Sequence, residues 1–143
     1  MKGTNTDMPF VIDASIAACW VFDDEDHPAA AAALERIRHD EAIAPSLWWF
    51  EVRNTLIVGE RRGRLTEADT TAFLRELSRF GVVLDHAPDE MAILTLARQH
   101  RLTVYDASYL ELARSEALPL ATLDAALRKA ATELNIELID AGP

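Results

Sequence analysis

Short apolar runs alternate with longer stretches of helical periodicity along this chain. Four apolar runs predict the strands of a core sheet, and a fifth run near the C-terminus predicts a last short strand. These runs occupy residues 10–12, 42–44, 82–84, 120–123 and 137–139. Gly63 and Gly81 follow periodic stretches, at positions where helices commonly end.

Stretches with apolar residues three and four apart predict a helix after each strand, and two in a row at some points. The first helix follows Asp13, and the others open near Pro28, Pro45, Thr66, Pro88, Thr103 and Asp124. Thr66 with Asp69, and Thr103 with Asp106, have the spacing of capping boxes. The helix that opens at Pro45 has its predicted inner face at Leu47, Phe50, Asn54, Ile57 and Val58.

This alternation of strands and helices predicts an α/β fold with a parallel sheet and helices on its faces. With 143 residues and no internal repeat or low-complexity linker, the chain is expected to form one domain over residues 1–143. Such a length is sufficient to bury a substantial core.

Composition narrows the classes of function. The net charge of −10 argues against a protein held on nucleic acid by charge alone, although a bound metal ion would offset acids locally. No apolar run is long enough to cross a bilayer, and residues 1–9 do not have the pattern of a signal peptide. Because Cys19 is the single cysteine, no internal disulfide is expected, and the cytoplasm is favoured.

Four acidic residues carry the candidate chemistry: Asp13, Glu51, Asp106 and Asp124. Each lies where a strand leads into a helix or on the inner face of a helix, so a parallel sheet would bring them together outside its carboxyl edge. Two carboxylates about 4 Å apart repel by roughly 4 kcal/mol at an effective dielectric near 20. A divalent cation with oxygen ligands would relieve this repulsion and would suit phosphodiester hydrolysis.

Each acid also has an alternative explanation. Asp13 and Asp124 have the position of ordinary helix N-caps, and Asp106 that of the third residue of a capping box. Glu51 is harder to explain structurally, because apolar residues surround it on its helix and burial of an unpaired carboxylate is costly.

Three further polar residues stand beside these acids. Asn54 lies one turn after Glu51, while Ser15 and Thr122 are each two residues from an acid, so all three are candidates to orient a carboxylate or bound water. Local backbone capping and a solvated amide are the competing explanations.

Other polar and aromatic features are expected to be structural. Residues 23–26 predict a solvated acidic loop, and Trp48 and Trp49 a core or interface position. The three arginines at 61, 62 and 64 favour interaction with a helix dipole over contact with RNA or a partner. Without metal-ligand spacing, surface positions are expected for His27, His39, His86 and His100.

Four segments in order resemble a known family. They are Val11-Ile12-Asp13-Ala14-Ser15, Pro45 with Glu51 and Asn54, the stretch from Tyr105-Asp106-Ala107 to Ala113, and Ala121-Thr122-Leu123-Asp124. Together they resemble the PIN-domain ribonucleases, and more closely the VapC-type toxins of bacterial toxin–antitoxin pairs. The resemblance extends over essentially the whole chain.

This resemblance implies a three-layer α/β/α sandwich and an endoribonuclease that depends on Mg²⁺, with Mn²⁺ as a substitute. Asp13, Asp106 and Asp124 match the family's metal-binding acids, and Glu51 its helix glutamate. Some members have a further acid shortly after the last one, where this chain has Ala125, Ala126 and Leu127. The family also implies an RNA substrate, a homodimer, and an antitoxin whose tail fills the groove near the acids.

Other classes of protein fit less well. A receiver-type phospho-acceptor domain needs a lysine after its last core strand, but the two lysines, Lys2 and Lys129, do not end a strand. A haloacid-dehalogenase-like phosphatase needs an acid where this chain has Ser15. A catalytically silent PIN-like module that binds a protein partner remains the main alternative.

Overall fold

The computed structural model describes residues 8–22, 27–85 and 87–140. The predicted acidic loop at 23–26, His86 and most of the N-terminal stretch lie outside the described residues. Four strands lie close to their predicted positions: β1 (Phe10–Ile12), β2 (Ala42–Pro45), β3 (Val83–Asp85) and β4 (Leu120–Ala121). The strand predicted at 120–123 is shorter than expected, because Thr122 and Asp124 turn out of the sheet into a helix cap.

All four strands are parallel and lie in the order β3-β2-β1-β4. The two central strands, β2 and β1, therefore have partners on both sides. The three residues of β1 are all apolar and are completely buried. The predicted last strand is present as a single parallel bridge between Leu138 and Leu120. The carboxyl ends of β1 and β4 thus meet at the same edge of the sheet, next to Asp13 and Asp124.

Seven helices connect and cover the strands in the described part of the chain. Their bounds are α1 (Ala14–Phe22), α2 (Pro28–Ile37), α3 (Leu47–Arg61), α4 (Glu67–Ser78), α5 (Glu90–His100), α6 (Val104–Ser115) and α7 (Ala125–Glu133). Helix α6 packs against β1, β2 and β4 and contacts α5 and α7, while α1 contacts α2 and α3. The arrangement is the predicted three-layer α/β/α sandwich. No helix in the described ranges is long and apolar enough to cross a membrane.

Helix starts follow from local hydrogen bonds. Thr66 and Asp69 form the complete capping box that their spacing predicts at α4. The Thr103 hydroxyl accepts from the Asp106 N–H at the start of α6, and Asp89, rather than Pro88, caps α5.

The predicted inner face of α3 is wrong for most of its residues, although Leu47 packs against the core. The buried residues are Trp48, Val52, Leu56 and Gly59. Phe50 is 67% exposed and Ile57 40% exposed, and Asn54 is also exposed. Both faces have helical periodicity, so periodicity alone did not determine which one meets the sheet and α1.

On α5, Ile93 and Leu96 are buried, whereas Met91 is 67% exposed. One smaller expectation changes on the same helix. His100 is not a surface residue, because its side chain is only 10% exposed and its Nδ1 lies 3.6 Å from a Glu133 oxygen. The adjacent residues Trp48 and Trp49 differ in burial: Trp48 belongs to the core, whereas Trp49 is 44% exposed.

Candidate active site

Asp13 follows directly on β1 and is almost completely buried. Its Oδ1 accepts hydrogen bonds from the Ser15 hydroxyl at 2.7 Å and the Ile16 N–H at 3.2 Å, and its Oδ2 accepts one from the Thr122 hydroxyl. Burial raises the pKa of Asp13 to about 6, although these hydrogen bonds oppose the rise. A carboxylate at this position is therefore held in one orientation but poorly solvated.

Thr122 joins two of the acids. Its side chain is fully buried, and its oxygen donates to Asp13 while accepting the Asp124 N–H at 3.0 Å. Ser15 makes a second link, because its hydroxyl donates to Asp13 and accepts the Leu123 N–H at 2.9 Å. The turn after β4 is thus attached to the carboxyl end of β1 by side-chain hydrogen bonds.

Asp124 serves as the N-cap of α7. Its Oδ2 accepts the Leu127 N–H at 2.9 Å, which leaves the other carboxylate oxygen for a further partner. The capping explanation is therefore correct for Asp124, and it is compatible with participation in a site.

Glu51 is half-buried on α3 and meets Tyr109 of α6. The Tyr109 hydroxyl donates to Glu51 Oε1 at 2.5 Å. Burial raises the pKa of Glu51, the hydrogen bond from Tyr109 lowers it, and the charge of Asp106 raises it further. Burial raises the pKa of the Tyr109 phenol most, and the carboxylates of Glu51, Asp13 and Asp106 raise it further, so Tyr109 remains a donor.

Asp106 lies in the first turn of α6 and completes the group. Burial raises the pKa of Asp106, and so does the negative charge of Asp124, while Thr103 opposes the shift. Repulsion thus links Glu51 with Asp106 and Asp106 with Asp124, while Asp13 acts on the Tyr109 hydroxyl that donates to Glu51. The structure thus brings together, at the carboxyl edge of the sheet, residues from β1, α3, α6 and the turn after β4.

The structure adds to the picture of two neighbours of the acids, Asn54 and Tyr109. Asn54 is exposed along a 190 Å³ cavity between α1 and α3, and within the described contacts no hydrogen bond joins it to Glu51. Tyr109 lies within the segment from Tyr105 to Ala113 and was not among the candidate site residues, yet it is the partner of Glu51. The available signal was that a fully buried tyrosine needs an acceptor for its hydroxyl.

The donor set consists of carboxylate and hydroxyl oxygens, which are ligands that hard cations prefer. Among residues 8–22, 27–85 and 87–140, no three acidic, histidine or cysteine side chains are close enough to enclose one ion. Mg²⁺ does not require such a cage, because it is commonly bound by one or two carboxylates with waters and substrate phosphates as the other ligands. The raised carboxyl pKa values fit the same ion, since a dication would relieve both desolvation and mutual repulsion.

Known proteins are similar to this chain in sequence and in fold. The family model of the PIN domain matches residues 10–133. A curated protein of Pyrobaculum aerophilum, Ribonuclease VapC3, is 36% identical over 121 residues, which cover 82% of this chain and 90% of that protein. The crystal structure of PAE2754 from Pyrobaculum aerophilum superimposes with a TM-score of 0.68 at 25% identity, covering 90% of this chain and 87% of that one. The resemblance identified from the sequence motifs is confirmed.

Proposed function

This chain belongs to the PIN-domain family, and we propose that it is a divalent-metal-dependent endoribonuclease, the VapC-type toxin of a toxin–antitoxin pair. The proposal is supported first by the similarity to Ribonuclease VapC3 over most of both chains. It is supported at the level of the site by one observation: a buried Asp13 is hydrogen-bonded to the turn that carries Asp124, beside the coupled pair of Glu51 and Asp106.

We propose that Asp13, Asp106 and Asp124 hold Mg²⁺, with Mn²⁺ as a substitute, one or two of them as direct ligands and the rest through bound water, and that Glu51 assists directly or through water. When bound, such an ion polarises the scissile phosphate and lowers the pKa of a water ligand. Ser15 and Thr122 keep both oxygens of Asp13 in place through their hydroxyl groups. These contacts fix the acid before the ion arrives, so little reorganisation is needed on binding.

Glu51 is placed to receive a proton. The pKa of Glu51 is raised towards neutral pH, and a carboxylate with a higher pKa is a more effective proton acceptor. Tyr109 restricts Glu51 to one orientation by donating to Oε1 and leaves Oε2 for a water molecule. Asn54, on the exposed side of α3, is in a position to contact the RNA backbone rather than to orient Glu51.

The proposed partners follow from the family. RNA is the substrate, a cognate antitoxin is the inhibitor, and the protein acts as a cytoplasmic homodimer. The acidic site suits the arginine-bearing tail that such antitoxins insert, because an arginine pairs with carboxylates through two parallel hydrogen bonds.

The decisive experiment is cleavage of end-labelled total RNA by purified, antitoxin-free protein in Mg²⁺, in Mn²⁺ and in EDTA. Asp13→Asn tests the site, and Glu76→Gln, on the exposed face of α4, is the matched acid-to-amide control. Cleavage that needs metal, is lost in Asp13→Asn and is retained in Glu76→Gln would support the proposal. A folded wild-type protein that binds divalent ions but cleaves no RNA would favour a silent binding module instead.

A further inference from the structure

We propose that Arg128 and Asp140 form a clamp that positions the turn of residues 122–124, and with it Asp13 and Asp124, for metal binding. The inference rests on the proposed function and extends it to two residues outside the acidic cluster. Arg128 is a positioning residue here, since it acts through the backbone of Thr122.

Arg128 makes three side-chain hydrogen bonds from α7. Its Nη1 donates to the Thr122 carbonyl at 2.8 Å, and its Nη2 donates to both oxygens of Asp140 at 2.8 and 2.9 Å. The planar guanidinium has fixed donor directions, so holding Asp140 also fixes the direction in which Nη1 meets the carbonyl. The Arg128 side chain therefore joins the carboxyl end of β4 to the C-terminal segment, residues 137–140.

The C-terminal segment is itself attached to the sheet. The Leu120 N–H donates to the Glu137 carbonyl at 2.9 Å, and the Ile139 N–H donates to the Leu120 carbonyl at 3.0 Å. Asp140 follows directly on this pairing, so it is a fixed anchor for Arg128. The clamp thus connects the turn that follows β4 with the segment of residues 137–140 that pairs with β4.

The held carbonyl belongs to the residue that links the acids. Thr122 donates to Asp13 and accepts from the Asp124 N–H. A rotation of the peptide after Thr122 would move the Leu123 N–H away from the Ser15 hydroxyl, which itself donates to Asp13, and would displace Asp124 at the next residue. Because Arg128 donates to the oxygen of this peptide, it restricts that rotation and keeps the carboxylates of Asp13 and Asp124 in a fixed relative position.

A second arginine supplies a matched control at the opposite end of β1. Arg36 donates from Nη2 to the Met8 carbonyl at 3.0 Å, and its Nε lies 3.1 Å from Asp40 Oδ2. Its side chain is 26% exposed, against 28% for Arg128. Each arginine therefore joins a carbonyl next to a strand to an aspartate, although the Asp40 side chain is 11% exposed and that of Asp140 49%, and only Arg128 is beside the acids.

The test compares Arg128→Ala, Arg128→Lys and Arg36→Ala in the full chain. Residue-resolved hydrogen exchange in EDTA follows the N–H groups of Leu123, Asp124 and Leu127, and calorimetric titration with MnCl₂ gives the affinity for the ion alone. We expect about tenfold or greater weakening of Mn²⁺ affinity in Arg128→Ala, typical of the loss of a group that supports metal ligands. The same variant should exchange faster at the turn, and Arg128→Lys should lie between it and wild type. Arg36→Ala should change neither quantity by more than about twofold.

Equal effects of Arg128→Ala and Arg36→Ala on turn exchange and on Mn²⁺ affinity would overturn the clamp, because the loss would then be one of general stability. If wild-type protein neither binds Mn²⁺ nor cleaves RNA, the proposed function fails. In that case the exchange comparison still decides whether Arg128 holds the turn, so the two failures are distinguishable.

Discussion

The Thr122 hydroxyl donates to the Asp13 carboxylate across 109 residues of sequence, and this hydrogen bond joins the carboxyl ends of β1 and β4, next to the acids Asp13 and Asp124. Both residues are buried, so water cannot easily replace either partner. The contact therefore determines how Asp13 is presented at the edge of the sheet.

Replacement of Thr122 by valine tests this contact. Thr122→Val keeps the branched shape but removes the donor to Asp13 and the acceptor for the Asp124 N–H, so metal-dependent cleavage should fall by about 10–100-fold. Stability in urea should fall by about 1–3 kcal/mol, because buried polar groups lose partners. Thr95→Val, at an exposed position on α5, should change neither value. Wild-type cleavage by Thr122→Val would remove Thr122 from the site.

The pH dependence of stability tests the burial of Asp13. Since its folded pKa is raised from 3.8 to about 6, Asp13 binds a proton more tightly in the folded state. Its contribution to stability is therefore present below about pH 4 and is lost as the pH rises to about 6, by up to roughly 3 kcal/mol for a shift of about two units.

This contribution is isolated by subtraction. The free energy of unfolding of wild type minus that of Asp13→Asn, measured by urea titration in EDTA, should decrease between pH 4 and pH 6. A difference that is constant or increases over this range would show that Asp13 is not desolvated. The subtraction removes most of the titration of other groups, because they are common to both proteins.

Removal of the Tyr109 hydroxyl tests the orientation of Glu51. Tyr109→Phe keeps the buried ring, so the free energy of unfolding should fall by only about 0.5–1.5 kcal/mol. The cleavage rate should fall by about tenfold or more, because Glu51 loses the donor at Oε1. Tyr105→Phe, where the side chain is 64% exposed, is the control and should cleave RNA as wild type does.

Replacement of Asp106 by asparagine tests the mutual repulsion of the acids. In EDTA, Asp106→Asn should be more stable than wild type by up to about 1 kcal/mol, discounted for partial exposure, because repulsion from Glu51 and Asp124 is removed. Addition of MnCl₂ should raise the melting temperature of wild type more than that of the variant. Lower stability of the variant in EDTA, with an equal Mn²⁺ response, would contradict a coupled cluster.

The cap of α4 provides a prediction about stability alone. Thr66→Ala removes the acceptor for the Asp69 N–H and should lower the free energy of unfolding by about 1 kcal/mol. RNA cleavage by the folded protein should be unchanged. A large loss of cleavage would mean that α4 contributes to the site in a way that its position does not suggest.

The inner face of α3 shows the limit of sequence periodicity. Phe50 and Ile57 share a helical stripe as regular as that of Trp48, Val52 and Leu56, yet only the second stripe is buried. The choice depends on how the helix rotates against α1 and β2, which is a property of packing. Glu51 lies between the two stripes and is therefore half-buried, which the apolar residues around it in the sequence did not determine.

The sequence by itself determined the order and type of the elements and the position of Asp13 and Asp124 at strand ends, because periodicity, caps and strand ends depend on neighbouring residues. Tertiary structure alone decided which side chains meet: Thr122 with Asp13, and Tyr109 with Glu51 at a separation of 58 residues. These contacts require the parallel strand order and the docking of α6, and both result from long-range burial of apolar surface, which a local pattern does not record.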